Sequence, residues 1–300
     1  MAKGDAELKP GHYSDGHPLD EVQYLECKLI LKPDLFTSVA SFREFGKLVA
    51  RTAREINKVE FAKDPKVGGR PAIREVVFLD TADFRLYNNA FILRRRIAYN
   101  DGFPVGDPEI VFKFRHPELQ RAAELDVRPH LPEKYRIKFK AEALPLRDRI
   151  GGMRLLYSHN CEFALGQAHQ EDPAAMSTLA RMFPALAAVK TSDTEHVSLV
   201  NEVIVEEVLL DLGELDFGKG VVAKANVALW RTRGDHRPLV GEFAYQCKFL
   251  RQEDVHAKPR KRCEKFYIAL QEAARDWIAL DTTKTGVIYR LKGNSPQSHE

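Results

Sequence analysis

The chain has little of what the common catalytic motifs are built from. Its 300 residues include four cysteines, Cys27, Cys161, Cys247 and Cys263, widely spaced and without a CxxC pair. That excludes a disulfide framework and predicts a reducing cytoplasm in which the thiols act as small core residues. The ten histidines show no HxxxH or HExxH spacing, so a zinc centre is not expected. Neither a GxxxxGK[ST] phosphate loop nor a GxGxxG fingerprint occurs. No apolar run approaches the ~20 residues of a membrane span, and the first twenty residues lack the apolar segment of a signal peptide. A net charge of +3 is too small to argue for nucleic acid by bulk electrostatics. The one local run, KPRKRCEK at 258–265, reads as a solvated helix start.

What remains is a soluble-protein composition, 44% hydrophobic and 30% charged, with charge placed unusually. In residues 90–99, AFILRRRIAY, period two puts Arg94 and Arg96 on one face and Phe91, Leu93 and Ile97 on the other. Two same-face arginines repel each other, and a bound polyanion removes that cost. Arg95 points away from them.

The pattern recurs. Residues 24–31, YLECKLIL, set Glu26 and Lys28 against Leu25, Cys27 and Leu29. Residues 110–115, IVFKFR, set Lys113 and Arg115 against Phe112 and Phe114. Residues 124–128, ELDVR, set Glu124 and Asp126 against Leu125 and Val127. Residues 239–249, LVGEFAYQCKF, set Glu242, Ala244, Gln246 and Lys248 against Phe243, Tyr245 and Cys247. Residues 75–80, 201–212 and 221–231 complete about eight strands.

Helices are expected from Thr37 or Ser38 to about residue 57, over 174–189 with a break at Pro184, and over 262–280. Residues 1–20 read as a flexible arm and 293–300 as a flexible tail, around a single domain over 21–292. Residues 130–200 read as a mainly helical insertion with a short strand near Leu155. Lys284 and Arg290 are expected at the surface, with plugging or edging a tunnel as the alternative.

Two architectures accommodate these strands. In an open antiparallel sheet the charged faces are simply solvated. In a closed barrel the apolar faces turn outward under the helices and the charges line a lumen. Such a lumen needs water, a polyanion or hard cations, because a buried unpaired ion costs several kcal/mol as an order of magnitude. Its basic side chains suit phosphate, and its carboxylates suit magnesium or manganese.

In order along residues 22–250, these motifs resemble the CYTH, or triphosphate tunnel metalloenzyme, superfamily. Glu26 and Lys28 match the end of its opening Glu-x-Glu-x-Lys strand. Phe78-Leu79-Asp80-Thr81 resembles its aromatic-x-Asp-Thr strand end, and Leu93-Arg94-Arg95-Arg96 its phosphate-gripping strand. Phe112-Lys113-Phe114-Arg115 and Glu124-Leu125-Asp126 resemble the basic and acidic strands that follow. The chain departs from the family at Tyr24 and Ala244, which replace acids, and at Leu229-Trp230, which replaces Leu-Asp.

The resemblance implies an α+β fold: an eight-stranded, mostly antiparallel closed β-barrel, or tunnel, with helices packed outside. It implies a metal-dependent phosphohydrolase acting on a triphosphate or polyphosphate compound. Lys28, Arg94, Arg96, Lys113, Arg115 and Lys248 would hold the substrate, the first three also acting in catalysis. Glu26, Glu124, Asp126 and Glu242 would hold Mg2+ or Mn2+. The missing acids leave a second reading, a tunnel that binds polyphosphate, a nucleotide or another anion without turnover.

Overall fold

Nine strands close on themselves in the computed structural model, which describes residues 11–13, 16, 18–63, 69–130, 134–164, 166, 172–190, 192, 194–249, 255–293 and 299–300. In chain order the strands are β1 (Tyr24–Leu31), β2 (Glu60–Ala62), β3 (Ala72–Asp80), β4 (Phe91–Asn100), β5 (Phe103–His116), β6 (Arg136–Leu144), β7 (Arg154–Ala164), β8 (Ser198–Asp216), β9 (Val222–Thr232) and β10 (Pro238–Lys248). The ring runs β8-β3-β4-β5-β7-β6-β1-β10-β9 and closes through β8–β9, while β2 pairs with the far end of β8. Neighbours are antiparallel except β1 and β6, which run parallel from Tyr24↔Lys140 to Cys27↔Ala143. An odd ring of alternating directions must contain such a junction.

The strand count corrects the expected eight. Residues 124–128 form no strand: Leu119–Glu124 is a short helix, α3, and the chain after it is irregular. Residues 136–144 and 154–164, expected within a helical insertion, supply two long strands instead. The helical part of that insertion is α4 (Met176–Met182), followed after Phe183 by a 3-10 turn at Pro184, where proline removes a backbone donor.

The barrel is inverted relative to a soluble sandwich: its apolar faces point out. Helices α1 (Val39–Glu55) and α5 (Ala257–Ala273) cover one side. Ser38 caps α1 reciprocally with Ser41, and the stripe Phe42, Phe45, Val49 and Ala53 is buried against the sheet, with the Phe45 and Phe243 rings 5.5 Å apart. On α5, Phe266 and Leu270 are fully buried, and the Tyr267 hydroxyl donates to the Lys28 carbonyl at 2.8 Å. α5 ends at Ala273, short of the expected residue 280.

The other side is covered by α3, α4 and the described part of the N-terminal arm. Phe183 stacks on Phe112 at 4.0 Å, and Tyr13 and Leu19 pack on the same cluster. The arm is therefore partly docked. Residues 1–10, 14, 15 and 17 of the arm and 294–298 of the tail lie outside the described residues.

A last helix, α6 (Lys284–Arg290), closes one end. Its Ile288 and Tyr289 are fully buried among Ile30, Val76, Ile92 and Trp230, which point into the barrel. Asp80 ties this end together. Its carboxylate accepts from the backbone N–H groups of Thr81, Leu86 and Tyr87 and from the Tyr289 hydroxyl at 3.0 Å. Those bonds hold α2 (Arg85–Asn88) and α6 to the end of β3. Among the described residues no helix is long and apolar enough to cross a membrane.

Candidate anion-binding site

The barrel encloses a cavity of about 420 Å³, lined by ten lysines and arginines and six glutamates. Glu26 and Lys28 reach it from β1, Arg94 and Arg96 from β4, Lys113 and Arg115 from β5, and Glu242 from β10. These seven expected residues are thus brought together by the period-two alternation of four strands. Arg95 points outward and pairs with Glu75 at 3.1 Å.

Three expected residues are elsewhere. Glu124 ends α3 on the outside, exposed, and accepts from the Gln120 amide at 2.7 Å. Asp126 makes a local fork with Arg128, while Leu125 and Val127 pack into the apolar cluster on the barrel's outer face. An irregular segment outside the ring cannot aim its acids inward, so neither residue belongs to the cavity. Lys248 lies past the end of the lumen, its ammonium 6.0 Å from the Tyr24 ring, in a separate recess.

The places of the two missing acids are taken by residues the sequence reading passed over. From β6 come Arg136, Lys138, Lys140 and Glu142, and from β7 Asn160 and Glu162. Arg74, Glu109 and Glu207 add to these, and α6 delivers Lys284, for which the surface was favoured over the tunnel edge. β6 did carry the signal: R-I-K-F-K-A-E-A-L alternates ionic and apolar residues without a break.

The lumen charges form three groups. Glu142, 1% exposed, accepts from Lys113 at 2.5 Å and Lys28 at 2.9 Å, and lies 3.7 Å from Arg115. Glu162 accepts from Lys138 at 2.8 Å and is paired with Arg136, while Arg96 bonds Glu109. Glu207 accepts from Trp230 Nε1 at 2.8 Å and from Arg74 at 2.6 Å. Lys284 bridges it, at 3.2 Å, to Glu242, at 2.7 Å. Glu26 contacts Lys28 at 3.0 Å and Lys140 at 3.4 Å.

Burial alone would raise the acids' pKa values, but the cations outweigh it. Lys140 and Lys28 hold Glu26 down at about 2, and Lys138, Arg96 and Arg136 hold Glu162 at about 2. Glu142 and Glu207 are likewise held well below the carboxylate range, by Lys113, Lys28 and Arg115 and by Lys284 and Arg74 respectively. Burial pushes Lys113 well below its ordinary value, with Arg115 and Lys28 adding to it against the pull of Glu142.

Arg94 stands apart. Among the described residues it has no ion pair and no hydrogen bond; its Nε is buried without a partner, and its guanidinium lies 6.0 Å from the Phe78 ring. Burial, then the neighbouring Arg96, pushes its pKa down to about 9. A cation left unsatisfied in a cavity that holds four more basic than acidic groups is one whose burial an anion would offset.

The donor set fits a divalent ion poorly. Of the four acids expected to bind one, two lie outside the barrel and the other two are engaged by lysine ammonium groups. Among the described residues no three His, Cys, Asp or Glu side chains converge to hold a metal.

Neither a family model nor a curated relative matches the chain. Solved structures do. A candidate adenylyl cyclase from Hippeastrum, described as having a dominant triphosphatase activity, is 14% identical, with 93% of this chain and all of that chain covered and a TM-score of 0.41. A candidate adenylate cyclase from Bacillus halodurans is 11% identical over 92% of this chain and 98% of that chain, TM-score 0.38. The PH1819 protein from Pyrococcus horikoshii is 12% identical over 90% and 99%, TM-score 0.34. The closed barrel itself, with helices outside and ionic groups within, is the architecture that the CYTH resemblance implied.

Proposed function

We propose that the barrel binds a linear phosphate polyanion of triphosphate type, gripped by Arg94, Arg96, Lys113 and Arg115, with Lys28 and the β6 lysines alongside. The observation that carries this is Arg94: a buried guanidinium with no ion pair or hydrogen bond among the described residues, in a lumen with excess positive charge. Phosphate oxygens suit it because a planar guanidinium donates two parallel N–H bonds to two oxygens of one group. The acids are not wasted in this reading. They hold the remaining cations in place and limit their mutual repulsion when the site is empty.

Binding on these terms needs no metal, because lysine ammonium groups already stand between the lumen carboxylates. Isothermal titration with tripolyphosphate in EDTA tests it. Saturable binding that weakens with salt, and weakens at least tenfold in Arg94→Met, is expected. Undetectable binding, or equal binding by the variant, contradicts it.

Hydrolysis of the bound anion is the second reading. It is supported by the reach of the resembling motifs, Glu26-x-Lys28 and Leu93-Arg94-Arg95-Arg96, into one cavity. Phosphate release from tripolyphosphate, with and without Mg2+ or Mn2+, decides between turnover and binding alone.

A further inference from the structure

At the α6 end of the barrel a further carboxylate reaches a lumen arginine from behind the wall. Arg115 lines both the main cavity and a small pocket shared with His299 and Glu300, too tight to hold a water molecule. The Glu300 side chain is 6% exposed and makes an ion pair with Arg115 Nη2. Its other carboxylate oxygen accepts from the Thr283 hydroxyl, and the exposed Arg147 donates to the Glu300 main-chain oxygen. Thr283 is fixed in turn, because its Oγ1 accepts from the Gly286 N–H at 3.0 Å as the N-cap of α6. His299 is seated beside it: Nε2 lies 3.0 Å from the Asn88 carbonyl oxygen, and the ring is 5.4 Å from that of His116.

Charge explains why a carboxylate is held here. Arg115, Arg147 and Arg154 crowd one corner. Burial, then Arg147 and Arg115, lowers the pKa of Arg154, whose Nε has no hydrogen-bond partner among the described residues. Glu142 lies 3.7 Å from Arg115 Nη1, but it is already bound by Lys113 at 2.5 Å and Lys28 at 2.9 Å. Glu300 therefore supplies counter-charge that the lumen shares out thinly. With Nη1 turned to Glu142 and Nη2 to Glu300, the fork of terminal nitrogens that would grip two phosphate oxygens is taken.

We propose that Glu300 is a built-in carboxylate ligand of Arg115, so that a polyanion entering the barrel competes with the chain's own side chain for that arginine. The proposal rests on the reading of the barrel as a polyanion site. A polyphosphate brings several charges against the single charge of Glu300 and wins at saturation. Its apparent affinity is reduced to the fraction of molecules in which Arg115 is uncovered. Removing the Glu300 charge lifts that reduction.

The test is isothermal titration with tripolyphosphate in EDTA at fixed ionic strength. Glu300→Gln should bind about tenfold more tightly than wild type. Arg147→Ala, outside the cavity, should bind at least about threefold more tightly, although it takes a positive charge from a protein that binds an anion. Both gains should vanish in an Arg115→Met background. Unchanged or weaker binding by Glu300→Gln overturns the proposal, as does weaker binding by Arg147→Ala or a gain that survives Arg115→Met. The contact is also read without ligand. In urea, the midpoint shift of the Glu300→Gln, Arg115→Met double variant should be smaller than the sum of the two single shifts, because both remove one interaction. Additive shifts overturn the proposal whatever the titrations show. If the shifts are coupled and no protein binds tripolyphosphate, the barrel reading fails and takes the competition with it, while Glu300 remains the ligand of Arg115.

Discussion

Lys28 and Glu142 meet inside the barrel at 2.9 Å, from the only two ring strands that run parallel. Glu142 also holds Lys113 and neighbours Arg115, so one carboxylate with 1% exposure keeps three cations in register. Replacing it by glutamine leaves those cations uncompensated. Glu142→Gln is expected to lose about 3 kcal/mol in urea denaturation, the cost of breaking a buried ion pair from one side. Saturating tripolyphosphate should return much of that loss, because its charge replaces the carboxylate's. Equal destabilisation with and without the anion contradicts this.

Acid should unfold the protein through the same groups. The folded pKa values of Glu26 and Glu162 are about 2, below the ordinary 4.5, and those of Glu142 and Glu207 are also depressed. The unfolded chain therefore takes up protons first as pH falls. Their contribution to stability is fully present above pH 4.5 and is lost progressively toward pH 2. Urea midpoints measured from pH 6 to 2.5 should be level and then fall. In Glu142→Gln the slope should be shallower by about one proton.

Anion affinity should fall in alkali. Lys113 is depressed by burial, then by Arg115 and Lys28. Its protonated form binds, so affinity is full below its folded pKa and declines above it. A bound polyanion raises that pKa, so binding in alkali should take up protons. Titrations in buffers of different ionisation enthalpy read that uptake, and Lys113→Met should diminish it.

Asp80 should matter for stability more than its position outside the cavity suggests. Asp80→Ala strands three backbone N–H groups and the Tyr289 hydroxyl, at a cost of about 2–4 kcal/mol, whereas Tyr289→Phe removes one bond at about 1 kcal/mol. Hydrogen exchange should show α6 opening first in Asp80→Ala.

The strands with unbroken alternation were legible in the sequence. Arg94, Arg96, Lys113, Arg115, Glu26, Lys28 and Glu242 share one cavity because each lies on the ionic parity of a strand bounded by clear turns. One such turn is the type of hairpin set by Asp101 and Gly102, both at positive φ, between β4 and β5. The acidic motif was misplaced because Glu-Leu-Asp at 124–126 has strand parity but too few residues to span the barrel, and it finishes a helix instead. β7 was hidden for another reason. Its inward Ser158, Asn160 and Glu162 and its outward His159 make S-H-N-C-E look like a loop, although Asn160 bonds the Lys138 carbonyl across the ladder. Lys284 was open to either place, surface or tunnel, because a polar helix start enters a lumen only once the barrel exists to receive it.

The most direct measurement is a crystal structure of the protein grown with tripolyphosphate in EDTA. Phosphate density is expected inside the barrel, with oxygens within hydrogen-bonding reach of the Arg94 guanidinium. Density confined to the outer surface, or a lumen holding water alone at a saturating concentration, would contradict it.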